Sequence, residues 1–115
     1  MSPLSLLAMA LLLPFSASAA SADDLNLEGL TWTEQKCVLY QSAWDWALAN
    51  LGTEDIRPQF IQQNDAFVAT GCIEQREVCP QSEKEIELAN MLTVMTMNEG
   101  MASTFVPFNC PTVSQ

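Results

Sequence analysis

The chain of 115 residues predicts an all-α fold: a small disulfide-stapled bundle of three main helices with an extended C-terminal arm. Three observations carry that expectation. Two capping-box patterns, Thr31-Trp32-Thr33-Glu34 and Ser82-Glu83-Lys84-Glu85, each open a run with apolar residues at helical spacing. Strand signals are few, with no Asn-Gly or Asp-Gly hairpin turn and no run of alternating apolar and polar residues. Four cysteines, Cys37, Cys72, Cys79 and Cys110, supply the reinforcement that a domain this small needs.

In chain order, residues 1–22 are expected to be a secretory signal peptide. The apolar run Leu4 to Phe15 is followed by Ala17-Ser18-Ala19 and Ala20-Ser21-Ala22, two small-x-small cleavage patterns. The run is interrupted by Pro14 and is shorter than the ~20 residues of a membrane span. No Lys or Arg precedes it. Residues 23–115 are then read as a single exported helical domain, periplasmic or secreted.

The first long helix is expected over about Trp32 to Leu51. Cys37, Tyr40, Trp44, Ala47, Leu48 and Leu51 form its core stripe at spacings of three and four, and Asn50-Leu51-Gly52 stops it. Trp32, Leu39 and Trp46 recur every seven residues as a second apolar line about half a turn away. Either the third helix and the arm cover that line, or it is a binding surface or dimer interface. A second helix starts at Pro58, a residue suited to the first helical position, and carries Phe60, Ile61, Asn64, Phe67 and Val68 on one face up to Gly71. Residues Ile73 to Pro80 form an acidic loop. The third helix follows Ser82 and ends at Gly100, and Pro107 and Pro111 keep the remainder out of regular helix.

An up-down-up order of these helices would place all four cysteines at one end, with an arm of about nine extended residues spanning roughly 30 Å to bring Cys110 back. Cys37–Cys72 with Cys79–Cys110 is the preferred pairing. Cys72–Cys79 with Cys37–Cys110 is the main alternative, and spacing leaves all three connectivities open.

Function is less legible. With no histidine, Ser-His-Asp triads and His-ligated metals are excluded, and Cys72-x6-Cys79 is wider than a zinc knuckle. Asp45, near the tryptophans, is the one carboxylate that invites a glycosidase-like reading, and a solvated helix position explains it better. Glu74, Glu77, Glu83, Glu85 and Glu87 lack the dense order of a calcium loop and suit helix N-terminal turns. Met91, Met95, Met97 and Met101 pair at i, i+4, a pattern that Cu(I) could use but that core filling accounts for. No cofactor is expected. Fourteen acidic against four basic residues, a net charge of −10, disfavour nucleic acid and, once the signal is removed, membrane surfaces. They are compatible with a basic protein partner.

The segments Cys37-Val38-Leu39-Tyr40 and Phe108-Asn109-Cys110-Pro111 resemble small envelope immunity proteins, over a minority of the chain. The resemblance implies an acidic inhibitor or immunity-type factor that caps its partner. With catalytic constellations excluded and an acidic, exported, disulfide-bridged chain, the expected function is a non-enzymatic exported protein-binding module. In size, export and bridging the chain also resembles small acid-activated helical chaperones, so a periplasmic stress chaperone is the alternative. The direction of any acid response then depends on whether folding raises or lowers carboxylate pKa values, which composition leaves open. A Met-rich copper or apolar-ligand binder is the distant third.

Overall fold

Three helices appear where the two capping boxes and Pro58 put them: α1 over Trp32–Leu51, α2 over Pro58–Ala69 and α3 over Glu83–Asn98. The structure, a computed structural model, describes residues 25–111; the expected signal peptide at residues 1–22 lies outside the described residues. Both capping boxes are complete. The Thr31 hydroxyl accepts from the Glu34 amide at 3.1 Å while Glu34 accepts from the Thr31 amide at 2.9 Å. Ser82 and Glu85 repeat the exchange at the head of α3. Pro58 occupies the first turn of α2, where a missing N–H costs nothing. α2 and α3 end alike. Gly71 and Gly100 sit at φ +80° and +96°, and the residues after them, Cys72 and Met101, donate back to Phe67 and Thr96. This is the Schellman closure, which satisfies carbonyls that the helix itself leaves orphaned.

The two disulfides are Cys37–Cys72 and Cys79–Cys110. The preferred pairing holds, but the expectation that all four cysteines share one end does not. Cys37–Cys72 joins the second turn of α1 to the end of α2. The other bridge lies at the opposite end, where α1 finishes and α2 begins. There Lys84, in the first turn of α3, donates to the carbonyl of Leu51; Ser82 donates to the carbonyl of Asp55; and Arg57 donates to the carbonyl of Cys79. The loop after Cys72 therefore runs the length of the molecule before α3 starts. As a result α3 lies antiparallel to α1, against which it packs, and runs in the same direction as α2. The physical cause is the connection itself: eight residues in extended form cover more distance than the twelve-residue helix α2 they run back past.

The arm after Met101 makes one turn, closed by the Phe105 amide on the carbonyl of Ala102. It then returns beside the connector, pairing Val78 with Phe108 in a parallel bridge. No strand occurs among the described residues. Phe108 is the piece that unites the core. It packs against one cluster built on Trp44, Ala47, Ile56, Phe60, Leu88 and Leu92, and against a second built on Tyr40, Phe67 and Val106. Its ring stacks on Phe60 at 6.0 Å. The arm thus supplies core, as a third layer would, rather than merely edging the helices.

Candidate functional site

The apolar line of Trp32, Leu39 and Trp46 is divided by the fold. Leu39 is 7% exposed and belongs to the interior. Trp32 is 48% exposed, and the Lys36 ammonium lies 5.9 Å from its ring centroid and 5.3 Å from that of Phe105 in the arm. This cation–π bridge ties Trp32 to the chain's own C-terminal segment. Trp46, 38% exposed, has no such tie; it lines an open groove of about 550 Å³ with Leu25, Val38, Gln41, Ser42 and Asp45.

A second depression, about 310 Å³, lies between α1 and α2. Gln41, Trp44 and Asp45 come from α1, and Asn64, Asp65, Val68 and Ala69 from α2. Gln41 and Asp45 line both, so the two depressions adjoin along α1. Asn64 is 1% exposed. Its Oδ1 accepts from the Tyr40 hydroxyl, whereas its Nδ2 has no acceptor. Burial pushes the Tyr40 phenol well above its ordinary pKa, which keeps the hydroxyl protonated and donating. A buried donor without a partner costs about 1–3 kcal/mol.

The electrostatics of this face follow from where the cations went. All four are engaged within the chain: Lys36 over two aromatic rings, Lys84 on the Leu51 carbonyl, Arg76 beside Glu74, and Arg57 on Glu85. No Lys or Arg lines either depression. Asp45 and Asp65 are exposed, and among the described residues neither has an ion-pair partner.

Of the acidic run, Glu85 is the member with a defined role. Fully buried, it accepts from the Arg57 side chain at 2.9–3.1 Å, from the Arg57 and Gln81 amides at 2.8 Å, and from the Ser82 amide at 3.3 Å. Burial raises its pKa, but the donors, the Arg57 side chain first, outweigh that and bring it down to about 2. Among the described residues no three His, Cys, Asp or Glu side chains form a metal-holding group. The methionines differ in burial. Met101 is buried, Met91 packs on the core and Met97 is exposed.

The sequence pattern singled out Trp32, Leu39 and Trp46 as a binding line and favoured a solvated helix position for Asp45; it did not point to Asp65, Gln41 or the orphaned amide of Asn64. The signal for the last was present, since Asn64 is the one polar residue on the otherwise apolar face of α2. No protein-family model matches the chain, and neither curated proteins nor solved structures give a match.

Proposed function

We propose that the chain is a non-enzymatic exported protein that caps a basic protein partner with the outer face of α1. The observation that carries this reading is Trp46, exposed in a groove beside the unpaired carboxylate of Asp45, on a face from which every cation has been drawn away. Aromatic anchors usually dominate protein contacts, and complementary charge steers the encounter. The two disulfides, and the absence of a helix long and apolar enough to cross a membrane among the described residues, are compatible with an oxidising compartment. The periplasm or the secreted space is such a compartment.

The test is affinity capture of the tagged, exported protein from its native envelope extract at neutral pH, followed by native mass spectrometry. One stoichiometric basic partner, lost in Trp46→Glu and weakened in Asp45→Asn, is the expected result. A scatter of weak associations, or capture unaffected by Trp46→Glu, would reject the reading.

A second reading, the acid-opened stress chaperone, is favoured by one observation: Glu85 is buried in an ion pair with Arg57 that holds its pKa down to about 2, so acid removes folding stability as pH falls toward that value. It requires client binding that appears only at low pH and disappears on return to neutrality. Suppression of aggregation that is equal at pH 7 and at pH 2 would exclude it.

A further inference from the structure

We propose that the cleft between α1 and α2 is the pocket that selects the partner, and that its ligand is one cationic residue on an extended peptide segment. The segment's main-chain carbonyl accepts from Asn64 Nδ2, and its guanidinium or ammonium group lies at Asp45 and Asp65. This rests on the partner-capping reading and specifies the chemistry recognised there.

Two independent features of the cleft ask for different parts of such a ligand. At the floor, Asn64 is 1% exposed and its Nδ2 lacks an acceptor. Tyr40 already occupies the Oδ1 side, so both N–H donors of the amide are unspent. A neutral carbonyl oxygen is a group that accepts from one of them and recovers the cost of leaving that buried N–H unmade. At the rim, Asp45 on α1 and Asp65 on α2 line the same cleft without a cation between them. A cation entering the cleft therefore meets carboxylates from both helices and no competing positive charge. A carbonyl at depth with a cation at the mouth describes a Lys or Arg residue lying across the cleft. An anion is excluded by the rim, and a purely apolar group would leave the floor unpaired.

The volume, about 310 Å³, is at the lower end of ligand sites and suits one residue rather than a folded element. Nδ2 is covered in the unbound chain, so the carbonyl reaches it only when a side chain lining the cleft moves aside; Gln41, exposed, lines both depressions. A partner whose basic residue enters this cleft brings its neighbouring surface over Gln41 and Asp45 onto Trp46. The two depressions would then be read by one contiguous epitope.

The probe is a blocked Gly-Arg-Gly tripeptide, titrated into the full exported chain, with side-chain and backbone amide signals followed by NMR. Saturable shifts of the Asn64 side-chain amide and of the Gln41 and Asp65 amides are expected. Replacing arginine by neutral citrulline, or making Asp65→Asn in the protein, should weaken binding by about tenfold or more, the worth of one charge-assisted contact. Absence of a saturable shift at Asn64, or equal binding of the citrulline peptide, would overturn the proposal. Tripeptide binding in a protein that captures no partner would leave the pocket standing and reject partner capping. Stoichiometric capture that survives Asp65→Asn, with no tripeptide shift, would do the reverse.

Discussion

Glu85 shows how one side chain can hold three pieces of chain in place. Its carboxylate collects the N-cap of α2, the connector at Gln81 and Ser82, and, through Arg57, the carbonyl of Cys79. A drop from the ordinary 4.5 to about 2 is worth about 3 kcal/mol of folding stability. Because the folded pKa is the lower one, that stability is fully present above pH 4.5 and is lost as pH falls through about 2. Urea unfolding across this window should show the midpoint falling with acid. Glu85→Gln should lower stability by about 3 kcal/mol at pH 7 and flatten the acid limb. Unchanged acid limbs would mean that other carboxylates govern it. Leu39 and Trp46 are separated by the same kind of experiment. Leu39→Ala should cost about 2–4 kcal/mol, as a buried leucine does, whereas Trp46→Glu should change stability by less than about 1 kcal/mol while abolishing partner capture.

At the scale of the elements, the helix boundaries are set by local chemistry that works almost independently of packing. Hydroxyl and carboxylate groups exchange hydrogen bonds at the start of α1 and α3, and glycines in the left-handed region close α2 and α3. Gly100 is the cleanest test. A Cβ there meets nothing within 4 Å, so Gly100→Ala isolates the cost of holding φ at +96°. The expected loss is about 1 kcal/mol, read from thermal unfolding. The tilt of composition along α1 has a different origin. Its apolar residues surround most of the helix because α2, α3 and the arm approach it from several sides. The seven-residue line of Trp32, Leu39 and Trp46 therefore crosses from solvent to interior and back to solvent.

For the whole molecule, the decisive feature is that the staples hold opposite ends. Cys37–Cys72 pins α1 to α2, and Cys79–Cys110 pins the end of the arm to the start of the α3 segment. Each closes a loop of the length for which about 3–4 kcal/mol is typical. Their removal should act in different places. The Cys79→Ser, Cys110→Ser double variant should accelerate hydrogen exchange around Phe105–Phe108 and at the head of α3. The Cys37→Ser, Cys72→Ser variant should do so at the start of α1 and the end of α2. Coincident patterns would place the bridges together after all.

What the sequence determined by itself was everything that depends on neighbours three or four positions apart. Two capping boxes, the proline at the head of α2, the glycines at the ends of α2 and α3, and the core stripe of α1 through Tyr40, Trp44 and Ala47 all stand where local spacing put them. The pairing of the cysteines was favoured but not forced. Only the tertiary structure decided how far the Ile73–Pro80 connection travels, since an extended segment and a tight loop have the same composition. That distance reversed α3, moved Cys79 to the far end and seated Phe108 between the two core clusters. It is also the tertiary structure that set Asp45 and Asp65, twenty residues apart on two antiparallel helices, around one cleft with the unpaired amide of Asn64. Periodicity names which face of one helix is apolar. Which residues of two helices come to share a cleft is set by how the helices dock, and no spacing within either one encodes it.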